Sequence, residues 1–188
     1  LTNRGTCWNH SRDEALRTRW QVDILIVLLL PLPNAWAWAL GACIVGALFE
    51  GVLSGTQIRR RFAELRLPKF APPLWVWSIV GVAYYVLFFF LLKSLLDRPP
   101  VPFWTPVALV LAGALLFMNA IWNWIFFRKK DPWLSFVFFG PYVLLALLFG
   151  AVLLRLGNPL MIWYLLYLAY LAYATSWCHS IWRLNRHS

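Results

Sequence analysis

Apolar residues in this chain come in long unbroken runs, and polar residues sit in the gaps between them. Five runs follow one another, approximately Trp36–Gln57, Trp75–Leu96, Phe103–Phe127, Trp133–Leu154 and Leu160–Trp182. Each reaches the ~20 residues that a helix needs to cross the hydrocarbon core of a bilayer. None alternates apolar with polar side chains, as the wall of a membrane barrel must. Prolines punctuate the gaps, at Pro72-Pro73, Pro99-Pro100, Pro102, Pro132 and Pro159. They suit the first turns of helices and the loops before them. The pattern predicts an all-α membrane protein, a bundle of five transmembrane helices over residues 35–188. Residues 1–34 form a polar N-terminal extension. Its short apolar stretch, Ile24 to Leu30, is broken by Pro31 and Pro33 and is expected to lie at the membrane interface.

Composition agrees. Of 188 residues, 62% are hydrophobic and 13% charged, against roughly 25% charged in a soluble domain. So few charges cannot coat a soluble surface. The net charge of +10 does not indicate nucleic acid, because the basic residues cluster at the ends of apolar runs. Bilayer orientation and anionic headgroups account for them. With five spans, the first and third loops and the C-terminus share one side. That side carries Arg59, Arg60, Arg61, Arg66, Lys69, Arg128, Lys129, Lys130, Arg183 and Arg186. The positive-inside rule therefore places the C-terminus on the inner side.

Few residues offer chemistry. Glu50 is the one acidic residue deep within a run. A carboxylate there costs on the order of 3 kcal/mol on insertion scales. It is expected to face the interior, pair with something or be protonated, in a functional or a structural role. Asn119 and Trp122 share a helix face at i and i+3. An amide beside an aromatic ring suits either a pocket for a flat apolar molecule or helix packing. His179, near the end of the last run, is a candidate haem ligand, though an interfacial polar role is commoner. Gly51 and Gly55 have the small-xxx-small spacing of close helix packing. Cys7, Cys43 and Cys178 form no zinc or disulfide framework. No catalytic constellation or metal-ligand motif is present in the sequence, so neither catalytic residues nor metal ligands are assigned.

The stretch Arg60-Arg61-Phe62-Ala63-Glu64-Leu65-Arg66-Leu67-Pro68-Lys69-Phe70-Ala71-Pro72-Pro73-Leu74-Trp75-Val76 resembles the first loop of the translocator proteins, the tryptophan-rich sensory proteins of the TspO/MBR family, whose form is close to RWYxxLxKPxWxPPxWV. Tyr85 resembles a family tyrosine. Asn119-x-x-Trp122 with Phe126-Phe127 and Pro132 resembles NxxWxxxFFxxxxP. Tyr167-Leu168-x-Tyr170 and Ile181-Trp182-Arg183-Leu184-Asn185 resemble PYLxW and VWRxN. The ordered set covers roughly Gly41 to Asn185.

The resemblance implies five helices around a cavity that opens toward the first loop. It implies a flat hydrophobic ligand, a tetrapyrrole such as a porphyrin or haem, or a sterol such as cholesterol. By position, Trp75, Tyr85, Asn119, Trp122, Ala174 and Trp177 would line the cavity, with Pro72 and Pro73 shaping a lid. It also implies the lipid bilayer as partner, a homodimer or larger membrane complex, and a mitochondrial or bacterial membrane. A structural subunit of such a complex that keeps the fold and has lost the pocket is the alternative. The sequence departs from the family pattern at Ile79, Gly81, Arg61-Phe62, Phe138, Tyr170, Trp177-Cys178 and His179. Two tryptophans proposed to help some members degrade porphyrins are replaced by Gly81 and Tyr170, so enzymatic activity is not expected.

Overall fold

A computed structural model describes residues 34–186. The interfacial stretch Ile24 to Leu30, Cys7 and the rest of the N-terminal extension before residue 34 lie outside the described residues. Every regular element among the described residues is helical. In chain order they are α1 (Ala35–Ser54), α2 (Ile58–Glu64), α3 (Leu74–Asp97) and α4 (Trp104–Trp124). A π-helical turn (Ile125–Lys129) extends α4, and α5 (Pro132–Val137), α6 (Phe139–Arg155) and α7 (Met161–Asn185) follow.

The helix ends follow from local sequence. Gly55 stops α1 with φ +72 and returns its N–H to the Gly51 carbonyl, a backbone region that glycine enters without a Cβ penalty. Pro73, extended at ψ 158, leads into α3. Asp131 caps α5 by accepting the Leu134 N–H at 2.9 Å, and Pro132 occupies the first turn, where a missing N–H costs nothing. The sequence pattern predicts one helix over Trp133–Leu154, yet a turn at Phe138 divides α5 from α6. Pro141 explains the break. It has no N–H to donate to the carbonyl of Val137, and its ring crowds that carbonyl.

Four stretches are long and apolar enough to cross a membrane: Ala35–Ser54, Leu74–Asp97, Trp104–Lys129 and Pro132–Arg155. At 1.5 Å per residue, α1's 20 residues extend about 30 Å, the thickness of the hydrocarbon core. The expected fifth span, α7, is 25 residues long but interrupts its apolar pattern with Thr175, Ser176, His179 and Ser180.

The helices pack α1 on α3 and α4, α4 on α6, α6 on α7, and α5 on α7. Small residues make the close approaches. Ala108, Ala112, Ala120 and Ala146 are fully buried, and Ala39 nearly so. In lipid, where apolar surfaces gain little by leaving solvent, packing of this kind holds helices together. Gly46 belongs to the same set, since a Cβ there would meet the Tyr85 ring at 3.4 Å and Leu116 at 3.7 Å. The pair expected from spacing does something else: Gly51 has open space around it, and Gly55 is the cap. Phe88, Leu91, Leu115, Phe149, Leu153 and Tyr164 fill the centre. Large apolar side chains such as Val45, Leu48, Val52, Val82, Val110 and Leu154 are more than 60% exposed. So much outward apolar surface belongs against lipid.

The first loop, the third loop and the C-terminal end of α7 meet at one end of the bundle, as the loop count anticipates. Arg61 Nη2 donates to the Lys130 carbonyl at 2.9 Å. The Asn185 amide grips the backbone of Arg66 on both sides, its Oδ1 accepting the N–H at 3.0 Å and its Nδ2 donating to the carbonyl at 3.1 Å. Tyr173 donates to the Phe70 carbonyl at 3.1 Å. Glu64 accepts from Arg60 at 3.0 Å and Lys130 at 3.3 Å. The hydrogen bond from Lys130, supported by Arg60, holds the Glu64 carboxyl below the usual carboxylate range. Asn185→Ala removes both bonds to the loop backbone, about 1–3 kcal/mol for such groups. Hydrogen exchange at Arg66 is expected to quicken while α1 and α4 keep their protection. Unchanged exchange at Arg66 would show that the clasp does not hold the loop.

Candidate ligand cavity

A cavity of about 840 Å³ lies between α1, α3, α4 and α7, with α2 at one end. Ile44 from α1 and Val82 and Val86 from α3 are among its lining residues, and all three are exposed on the bundle's outer face. The cavity therefore reaches the lipid-facing surface between α1 and α3.

Aromatic rings build the wall nearest the first loop. Trp77 of α3 lies 4.5 Å, centroid to centroid, from Trp177 of α7. Trp177 is also 5.4 Å from Phe126 and 6.2 Å from Phe62. Trp122 stacks on Phe126 at 5.1 Å with the planes 15° apart. The π-helical turn that carries Phe126 and Phe127 shifts these rings out of α-helical register. Such turns often mark functional positions. The indole N–H groups of Trp77 and Trp177 are buried without a hydrogen-bond partner, and both side chains belong to the cavity lining.

Deeper in, the wall becomes polar at one place. Tyr85 donates its hydroxyl proton to Glu50 Oε2 at 2.7 Å, and Asn119 Nδ2 donates to the same oxygen at 2.6 Å. The three residues come from α1, α3 and α4. Asn123 Nδ2 turns away to the Asn119 carbonyl at 3.0 Å. Glu50 is the one carboxylate in the lining, and no lysine, arginine or histidine joins it there.

Of the residues predicted from the sequence, Tyr85, Asn119, Trp122, Ala174 and Trp177 line this cavity together. Trp75 does not. It is 65% exposed, and Trp77 takes the inward position. Two residues on a helix are about 200° of rotation apart, so a two-residue misjudgement of register reverses the face. Pro72 and Pro73 also lie outside the lining. The residues of the first-loop region that do line it are Ile58 and Phe62, with Leu74 at the start of α3. His179 faces elsewhere, packed on Phe136 at 5.1 Å and Trp182 at 5.6 Å. Among the described residues no group of three His, Cys, Asp or Glu side chains is placed to hold a metal ion. Cys43 and Cys178 are free and buried.

Glu50 and Trp77 line the cavity as well, without having been assigned to it from the sequence. Glu50 had a signal, a lone acid in an apolar run, but its partners lie 35 and 69 positions away. Trp77 had none, because two tryptophans two positions apart look alike until the helix phase is known.

A comparison of the sequence with curated proteins found no match. A family model described as the TspO/MBR family matches residues 39–183. That region holds the whole cavity, the first loop and all but the last turn of α7. With most of its length matched, the chain belongs to the TspO/MBR family.

Proposed function

We propose that this membrane protein binds a flat hydrophobic ligand, a tetrapyrrole or a sterol, in the cavity between its helices. The observation that carries the proposal is the wall itself, a mostly apolar lining around about 840 Å³ with one charged side chain, Glu50, among its few polar ones. Pockets for small molecules are built this way, apolar and aromatic with a few placed polar groups. Stacking on Trp77 and Trp122 and burial supply the affinity, and Asn119 and Glu50 orient the ligand. The opening between α1 and α3 gives a lipid-dissolved molecule a route that avoids water. In this proposal α7 is the fifth span, supported by its 25-residue length and its packing along α6.

Trp122→Ala is the direct test. The indole offers the ligand a broad aromatic face, and losing it is expected to cost about 1–2 kcal/mol of binding, roughly five- to thirtyfold in affinity. The measurement is quenching of tryptophan fluorescence by protoporphyrin titrated into purified protein in mild detergent. Absence of saturable quenching in the unsubstituted protein would count against the proposal.

A further inference from the structure

We infer that the ligand carries a positive charge, a protonated amine on its flat hydrophobic body, and that Glu50 is its counter-ion. The inference rests on the cavity being a site for a flat hydrophobic ligand and departs from that proposal on one point, since neither the carboxylates of a porphyrin nor the hydroxyl of a sterol supplies a positive charge at Glu50.

The polar spot has one sign only. Glu50 Oε2 already accepts from Tyr85 at 2.7 Å and Asn119 at 2.6 Å. The structure gives Oε1 no donor among the described residues. Glu50 forms no salt bridge there either; the ion pairs described join Arg60 and Lys130 to Glu64 and Lys93 to Asp97. All the basic side chains among the described residues lie outside the cavity lining.

A carboxylate surrounded by apolar groups is costly unless it is paired and hydrogen-bonded. Two donors meet the hydrogen-bonding half of that need, and when the group is ionised no side chain of the lining supplies the counter-charge. The neutral donors Tyr85 and Asn119 aim the carboxylate without cancelling it. A carboxylate fixed by neutral groups and open on one oxygen is what an ammonium group requires.

The rest of the wall suits a cation as well. Tyr84, Tyr85 and Phe89 of α3 and Tyr170 of α7 belong to the lining. Aromatic faces attract cations, most strongly where water is excluded. The same features disfavour an anionic ligand group at this depth, because a second carboxylate beside Glu50 would meet a like charge in a low-dielectric site. A neutral hydroxyl would fill the open Oε1 but leave the charge unpaired.

The test uses two probes with one ring system, pyrenemethylamine and pyrenemethanol. They are titrated into the full chain in uncharged detergent and followed by energy transfer from tryptophan. The unsubstituted protein is expected to bind the amine about tenfold or more tightly than the alcohol, the range of a hydrogen bond between charged groups. Glu50→Gln keeps the shape and an acceptor for Tyr85 and Asn119 but removes the charge. It is expected to bring the amine affinity down to that of the alcohol, so that the preference is lost. Equal affinities in the unsubstituted protein, or a preference that survives Glu50→Gln, would overturn the inference and leave the cavity proposal standing. If neither pyrene probe binds and protoporphyrin also fails to quench, both are overturned together.

Discussion

Gly81→Trp is expected to close the cavity to its ligand while leaving the helix bundle folded. Gly81 lines the cavity from the middle of α3, and a Cβ there meets nothing within 4 Å. A side chain at this position starts into ligand space, its Cβ meeting no protein atom. An indole competing for the ligand's place would displace on the order of 100 Å² of apolar contact. At about 25 cal/mol per Å², that is ~2.5 kcal/mol, or close to a hundredfold in affinity. Stability should move the other way, because a glycine inside a helix is worth up to about 1 kcal/mol less than a residue with a side chain. The combination separates loss of binding from loss of fold. Titration with protoporphyrin and a melting curve on the same sample read both. Unchanged affinity with an intact fold would mean that ligand does not occupy the space in front of Gly81.

Trp177→Ala is expected to act in the opposite way, through the fold. The ring is 1% exposed and packs against Trp77, Phe126 and Phe62, joining α7 to α3, α2 and the end of α4. Trading a buried tryptophan for alanine costs about 3–5 kcal/mol where neighbours cannot close the gap. The loss comes from dispersion contacts that lipid cannot replace inside the bundle, so it persists in detergent. Thermal unfolding followed by circular dichroism should shift down by several degrees, and ligand binding should fall with it. A melting point within about a degree of the unsubstituted protein would contradict the anchoring role.

Much of the fold was legible in the sequence because bilayer spans write themselves as long apolar runs. Four of the five runs became helices apolar enough to span, with ends close to the expected prolines. The fifth is a single helix whose serines, threonine and histidine dilute its apolar character. The break at Phe138 was encoded too, by Pro141, but a hydropathy pattern averages over one missing hydrogen bond. The site was harder. Tyr85, Asn119, Trp122, Ala174 and Trp177 share the cavity, yet spacing along one helix reveals only that Asn119 and Trp122 share a face. Trp75 and Trp77 could be told apart only by the phase of α3. Glu50 was visible as an anomaly, but its meaning depends on Tyr85 and Asn119, which tertiary packing alone brings to one oxygen. The glycines of α1 make the same point, since four-residue spacing named Gly51 and Gly55 as a packing pair and the close approach to α3 and α4 occurs at Gly46.

Gly81 links the sequence to the cavity. The resemblance to the family implies tryptophan at the positions held here by Gly81 and Tyr170. Both positions face the cavity. The first exchange opens space, and the second puts a phenol where an indole would be.

The central claim is that the cavity is occupied by a small hydrophobic molecule, and native mass spectrometry of the protein released from mild detergent tests it most directly. The expected spectrum shows a single bound small molecule in addition to lipid, at one copy per chain, and Gly81→Trp loses that species while retaining its lipid adducts. A spectrum with lipid adducts alone, identical for the two proteins and unchanged after incubation with protoporphyrin or the pyrene amine, would contradict it.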